Sequence, residues 1–412
     1  MYRRLWARLL PLAWGALAAT GAGAQAAGEL TLRQAFDAAW ERQPEAAAQP
    51  AREEAAAAAR RAAQGWLAEP AALELRTATD RAHGNHGARE YEAAVALPLW
   101  LPGERERAGR LAEAEQQALQ ATLAAARLRT AAQVRDAWWA WQRAALEHGL
   151  AQDRRFSARQ LVADVARRVR AGDLARADQY QADGAAAQAD AALADASAAL
   201  AAARLGLHAL AGPALPPSGG TDAEPWPEAP TDGAQAQHPA LRELQARAEM
   251  ARRSADLAVV QTRANPELTL GTKRERAALG EAYQGSLSVG LRIPFGGGGR
   301  ADAKAATARA EAIEAESLAT LERGRVAAGI EAARERAEAA RAQREAADQR
   351  ARLAREVRGF IEKSFRLGES DLPTRLRAEL EAAEAERLAA RARIDAAAAV
   401  SALRQSLGLL PD

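Results

Sequence analysis

Four short runs of the chain alternate apolar and polar positions with a period of two. Across residues 285–293, Leu287, Val289, Leu291 and Ile293 fall on one side, and Ser286, Ser288, Gly290 and Arg292 on the other. Upstream, Leu268, Leu270 and Thr272 alternate with Glu267, Thr269, Gly271 and Lys273. Earlier in the chain, Tyr91, Val95 and Leu97 alternate with Glu92, Ala94 and Ala96, and Leu73, Leu75 and Thr77 with Glu74, Arg76 and Ala78. Such alternation predicts strands with one apolar and one polar face. The rest reads as helix. Modest helices are expected at about 45–67 and 240–264, and very long ones at about 104–170 and 300–366. At a rise of 1.5 Å per residue each long stretch spans roughly 100 Å. Gly172 and Gly368 end them, as glycine commonly does. Returning helices then run to Gly212 and Gly408, and Pro373 sits in the first turn of the second of these, where proline is tolerated.

The two halves repeat. Pro70 to Pro266 is an offset of 196, and the same offset relates Pro98 to Pro294, Gly103 to Gly299, Arg170 to Arg366, Gly172 to Gly368 and Gly212 to Gly408. Between them, Pro213, Pro216, Pro217, Gly219, Gly220, Pro225, Pro227 and Pro230 break any helix and read as a linker. Trp226 is expected to dock it onto a helix. The resulting organisation is a leader at 1–24, a first repeat at 25–212 (hairpin about 71–100, long helices 104–212), a linker at 213–238, and a second repeat at 239–412 (hairpin about 267–295, long helices 300–408).

Composition changes what these helices can be. The 412 residues are 49% hydrophobic, but much of that is alanine and aromatics supply only 4%. Alanine buries little area, so a compact core is poorly supplied, whereas long closely packed helices suit it. Zero cysteines exclude disulfides, thiol catalysis and a lipidated N-terminal cysteine. Arg3, Arg4 and Arg8 precede an apolar run at 9–19 and the small residues Ala22, Gly23 and Ala24, which is the pattern of a cleaved secretory leader. Its removal takes three arginines from a formal charge of +2, leaving about −1, so the basic balance implies no nucleic acid.

The strands approach the roughly 9–11 residues that a tilted transmembrane strand needs. Lipid outside and water inside would require their alternation. Four strands cannot close a barrel, and open edges are not tolerated in lipid. A membrane reading therefore demands an oligomer, and a trimer makes twelve strands. The other reading of the strands is a soluble coiled coil with hairpin caps.

Together these features resemble the TolC-like outer-membrane efflux family over about residues 30–410. The carriers are the duplicated strand–helix plan, the closing signatures Leu97-Pro98-Leu99 and Ile293-Pro294-Phe295, the glycine exits at 102–103 and 296–299, and the turns Arg170 to Asp173 and Arg366 to Glu369. The run Arg89-Glu90-Tyr91-Glu92 leading to residues 97–105 looks like the cobalt–zinc–cadmium branch. The resemblance implies a mainly α protein with a small transmembrane β part. Long antiparallel helices would form a trimeric α-barrel tunnel below a twelve-stranded β-barrel. It also implies a homotrimer in the outer membrane, a periplasmic adaptor and an inner-membrane RND-type pump as partners, and passive conduction.

It further implies that the tip turns form a gate and adaptor-docking face from Arg170, Gly172, Asp173, Asp178, Arg366, Gly368, Glu369 and Asp371, with the arginines making inter-helix ion pairs. The family pattern puts an aspartate six residues after the turn glycine. Asp178 fits, whereas the second half has Thr374, with Asp371 nearby. Pro98, Trp100, Pro294 and Phe295 would mark the closing of the barrel and its interface, with Trp100 as an interfacial anchor.

Other candidates fall away. Residues 296–299 lack the Gly-Lys-Ser/Thr ending of a phosphate loop. His83 and His86 sit in a hairpin loop with no third ligand apparent, and read as a polar loop tip. Trp138, Trp139 and Trp141 read as filling a wide point in helix packing. No triad, catalytic carboxylate pair, resident metal or cofactor motif emerges, so no enzyme is expected. The expected function is an outer-membrane efflux duct for divalent heavy-metal cations. The alternatives are a duct for drugs or for type I protein secretion, and a soluble periplasmic scaffold or adaptor.

Overall fold

A computed structural model describes residues 31–82, 84–212, 223–228, 237–296 and 298–412. The expected leader and most of the linker lie outside the described residues. The elements run α1 Leu32–Glu41, α2 Pro44–Ala63, β1 Ala72–Thr79, β2 Arg89–Pro98, α3 Glu104–Ala171, α4 Arg176–Ala211, α5 Pro239–Val260, β3 Glu267–Arg276, β4 Gln284–Arg292, α6 Gly298–Arg366 and α7 Leu372–Ser406. Among the described residues no helix is long and apolar enough to cross a membrane.

The two long helices organise everything else. α3 has 68 residues and α6 has 69, each about 100 Å long. Shorter helices complete their length: α2 and α4 lie along the two ends of α3, and α5 and α7 along the two ends of α6. Ion pairs mark these contacts at successive heights, from Arg60–Glu113 (α2–α3) to Arg155–Asp190 (α3–α4), and from Arg252–Glu316 (α5–α6) to Arg355–Glu386 (α6–α7). α3 also packs on α5 and α7, which joins the halves. The order across the layer is therefore α2–α3–α5–α6 near the sheet and α4–α3–α7–α6 near the tip. Alanine makes the packing close. Ala351, Ala385 and Ala389 form one buried contact between α6 and α7, flanked by Ala347 and Ala354.

Turns are repeated with the halves. Gly172 and Gly368 both take a left-handed φ, 86° and 78°. In each turn the residue after the glycine donates five residues back, Asp173 N–H to Arg168 O and Glu369 N–H to Ser364 O. Gly408 ends α7 in the same way, with Leu409 N–H donating to Arg404 O. Gly212 differs, with its ψ extended so that the chain leaves into the linker. Where the halves diverge most is at the exit from the strands. Gly103 is left-handed before α3, but after β4 the left-handed residue is Gly296, and Gly299 lies within α6.

One helix goes beyond the sequence expectation. α1 has ten residues with apolar positions at 32, 35, 36 and 39, and Thr31 and Gln34 close a reciprocal capping box at its start. It buries Leu32, Ala35, Phe36 and Ala39 against Trp138, Trp139, Leu207 and Ile394 at mid-height. Trp138 and Trp139 thus fill the core where α1 is inserted.

The linker is pinned at the same height, though not by burial of Trp226, which stays exposed. Glu224 holds it instead. Its carboxylate accepts from Arg135 Nη2 at 2.6 Å and Nε at 3.0 Å, from Arg404 Nε at 3.2 Å, and from the Ser401 hydroxyl. Arg404 also pairs with Asp412. Two guanidiniums, one from each half of the chain, thus face two carboxylates, one from the linker and one from the C-terminal end.

Candidate functional site

The sheet is antiparallel throughout, in the order β1-β2-β3-β4. Its register sets Leu73, Val95, Leu270 and Val289 in one cross-strand row and Leu75, Ala93, Thr272 and Leu287 in the next. The leucines and valines of these rows are exposed. Rows on the opposite face hold Arg76, Glu92, Lys273 and Ser286, then Glu74, Ala94, Gly271 and Ser288. Arg76 pairs with Glu92 at 3.3 Å, and Lys273 with Glu275 at 2.7 Å and Glu90 at 3.3 Å. This polar face is crowded: a Cβ on Gly271 would stand 2.9 Å from Ser288 Oγ and 3.1 Å from Ala94 Cβ. A contiguous exposed apolar face of the kind formed by the leucine and valine rows marks a surface that meets lipid or a partner. Among the described residues nothing pairs with the outer edges of β1 and β4.

At the far end the two hairpin loops are tied together. The Asp80 carboxylate accepts from Gly87 N–H at 3.0 Å and Arg89 Nη1 at 3.1 Å. Leu279 N–H donates to His86 O at 2.9 Å, and Arg276 Nε to Gly87 O at 3.1 Å. His83 lies outside the described residues; among those described, no group of three His, Cys, Asp or Glu side chains is placed to hold a metal.

Strands meet helices around Glu104, which is buried. Its carboxylate accepts from Leu101 N–H at 3.0 Å, Asn265 Nδ2 at 2.7 Å and Gln261 Nε2 at 2.8 Å. Leu99 N–H donates to Pro266 O at 2.7 Å, and Ala68 N–H to Pro98 O. One acid therefore fixes both halves of the protomer where period two gives way to 3.6. Trp100 turns into this junction, its indole N–H donating to Gly65 O at 3.1 Å. Pro98 is buried and Pro294 half-buried, while Phe295 projects outward.

The tip gathers the remaining candidates. Asp173, Arg366, Gly368 and Glu369 are exposed on the two turns. Asp178 is the third residue of α4 and accepts from Ala175 N–H at 3.0 Å. Asp371 caps α7 and accepts from Thr374 N–H at 3.0 Å. Each half therefore keeps one arm of a capping box, and opposite arms. This explains why the acid sits at different positions in the two turns. Asp371 has its carboxyl lowered from the usual aspartate value, first by the Thr374 hydroxyl and next by the Thr374 N–H. Arg170 Nε donates to its own helix at Ala166 O.

The contact between hairpins is Phe365, absent from the sequence expectation. It is buried with Leu161, Val165, Ala182 and Leu372, and the guanidiniums of Arg168 and Arg375 lie 4.8 and 4.9 Å from its ring centre. Its only sequence signal is an aromatic three residues before the turn glycine.

Solved structures share this fold. VceC, an outer membrane protein of Vibrio cholerae, is similar with a TM-score of 0.73 and 18% identity, over 92% of this chain and 97% of that one. CusC, whose structures concern folding and transmembrane channel formation, gives 0.75 and 16%, over 92% of each chain. The CmeC outer membrane channel of Campylobacter jejuni gives 0.71 and 14%, over 98% of this chain and 94% of that one. No family model matches the sequence, and no curated protein matches it. The chain shares the fold of these outer-membrane protein structures, mostly helical with a small antiparallel sheet and an internal duplication.

Proposed function

We propose that this chain is one protomer of a homotrimeric outer-membrane channel in a tripartite efflux system, and that it passively conducts divalent heavy-metal cations outward from the periplasm. The observation that carries this reading is the sheet: four strands, one mainly apolar exposed face, one polar face and two open edges, standing on a helical layer about 100 Å long. Only closure with further copies satisfies those edges in lipid. Three copies give twelve strands with apolar residues outside and Arg76, Glu92, Lys273 and Ser286 toward a wet lumen.

The tip would serve as gate and adaptor-docking face. Asp173, Asp178, Glu369 and Asp371, repeated by symmetry, ring the opening with carboxylates and favour cations. The pump supplies the energy and the adaptor selects the dilated state. The resemblance of residues 89–105 to the cobalt–zinc–cadmium branch and this acid ring support the metal cargo. Neighbours named as an outer membrane protein and an outer membrane channel support the location.

Fractionation and deletion test the two levels separately. The chain should appear in outer membranes as a detergent-resistant trimer, and its loss should sensitise cells to zinc, cobalt and cadmium. A soluble periplasmic monomer would defeat the channel reading. An outer-membrane trimer whose loss sensitises only to organic drugs, or only blocks secretion of a protein, would keep the channel and discard the metal cargo.

A further inference from the structure

The free edges of the protomer are two, and they carry exposed aromatic side chains at matching heights. One edge consists of α2, β1 and α4; the other of β4 and α6. α2 packs on α3 and lightly on α1, α4 on α3 and α1, and α6 on α5 and α7. β1 and β4 are the outer strands.

At the base of the sheet, Trp66 lies between α2 and β1 with 90% of its surface exposed, and Phe295 lies between β4 and α6 with 87% exposed. Both sit at the level of the strand–helix junction. Trp66 follows Gly65, whose carbonyl takes the Trp100 indole, and Phe295 follows Pro294, the repeat counterpart of Pro98.

Near the tip the same pairing recurs. Tyr180 stands eight residues after Gly172 on α4, and Phe360 eight residues before Gly368 on α6, each 71% exposed. Tyr180 is the fifth residue of α4 and Phe360 stands six residues before the end of α6, so they lie roughly 6 and 9 Å along their helices from the turns.

We propose that these four residues key the seam between neighbouring copies of this chain, with Trp66 against Phe295 of the next protomer at the base, and Tyr180 against Phe360 of the next protomer near the tip. The proposal rests on the trimer reading above. A second copy is the occupant because, among the described residues, the outer strand edges of β1 and β4 beside Trp66 and Phe295 are unpaired and only another strand completes them, while α4 and α6 continue the same two edges toward the tip. Strand direction agrees: β1 leaves the junction and β4 returns to it, so β1 beside a neighbour's β4 is antiparallel like every other pair in the sheet. A ring of identical copies sets one edge type against the other at every joint, which is heterologous closure. Each aromatic ring can bury about 150–250 Å² there and gain from offset or edge-to-face stacking.

The native chain has no cysteine, so paired cysteines report the seam without background. The full-length double variants Trp66→Cys with Phe295→Cys, and Tyr180→Cys with Phe360→Cys, are oxidised in the outer membrane and run under denaturing conditions. Each matched pair should give covalent trimer. The four single variants and the mismatched pair Trp66→Cys with Phe360→Cys should stay monomeric. An assembled trimer in which either matched pair fails to cross-link overturns the seam while leaving the channel reading in place. So does labelling of the assembled Trp66→Cys trimer by a maleimide confined to the lipid phase, which would put that position against the membrane. Failure to assemble before any substitution defeats both the seam and the channel reading.

Discussion

Glu224 receives two nitrogens of Arg135, one of Arg404 and the Ser401 hydroxyl, with its side chain only 2% exposed. Without it Arg135 would be a buried, uncompensated charge and Arg404 would keep only Asp412, the situation in which removing one partner costs about 3–5 kcal/mol. Glu224→Gln keeps the shape and removes the charge. We expect amide exchange across residues 223–228 and 405–412 to accelerate by about 100-fold, the factor for roughly 3 kcal/mol of local stability. Hydrogen-exchange mass spectrometry reads this directly; unchanged protection would mean the linker is held by other contacts. Glu224 was illegible in sequence because its partners lie 89 and 180 residues away. Proline-rich composition announces a linker and says nothing of what one carboxylate inside it meets. Glu104 is similar: its place at a helix start was readable, but its hold on Asn265, 161 residues on, was not.

At the level of elements, the helices are stitched by alanine stripes and fixed at their ends by caps. Ala378, Ala382, Ala385 and Ala389 form a buried line along α7 at spacings of four, three and four. This is a helical seam made of the smallest apolar side chain, so the helices approach closely and any larger residue must push them apart. Ala385→Leu should destabilise the α6–α7 hairpin by about 1–3 kcal/mol through overpacking, seen as a lower unfolding midpoint by circular dichroism. The start of α7 is sensitive to acid. The Asp371 carboxyl is held below its unfolded value, so its stabilisation is present above that value and is lost as pH falls through the folded one. With an unperturbed aspartate near 3.9, the window lies below about pH 4. Amide protection at residues 374 and 375, corrected for the intrinsic pH dependence of exchange, should fall there in the wild-type chain and show no such step in Asp371→Asn. Element types were legible because period two and glycine-ended helical runs are local signals. α1 is absent from the sequence expectation although its apolar residues recur at 32, 35, 36 and 39 and Thr31 and Gln34 have capping-box spacing; that it fills the space beside Trp138 and Trp139 was not readable locally.

The whole molecule is a layer of helices with a sheet continuing it, and its two free strand edges are the ground for proposing further copies. The proposed acid ring belongs to this scale, since in the proposed trimer a carboxylate on one protomer would be repeated by threefold symmetry. The double variant Asp178→Lys with Asp371→Lys should leave trimer assembly intact and lower the cation preference of single-channel current several-fold. Unaltered selectivity would assign these acids to capping alone. The duplication is a whole-molecule fact that the sequence displayed early. An offset of 196 ties Pro98 to Pro294 and Gly172 to Gly368, and both turns have the same left-handed geometry. The offset fails where the chain solves a local problem differently. Asp178 and Asp371 satisfy opposite arms of a capping box, and Gly296 in place of Gly299 turns the second exit.

By itself the sequence determined whatever rests on near neighbours. Those are the faces of the strands, the ends of the long helices and the repeat. Tertiary structure alone decided which residues tie the halves together: Glu104 at the junction, Glu224 at mid-height, Phe365 between the tip hairpins. The reason is physical. Backbone hydrogen bonds and side-chain alternation act over a few residues and leave a periodic trace. A buried carboxylate or ring is placed by partners that reach it only after two helices, each about 100 Å long, have folded side by side.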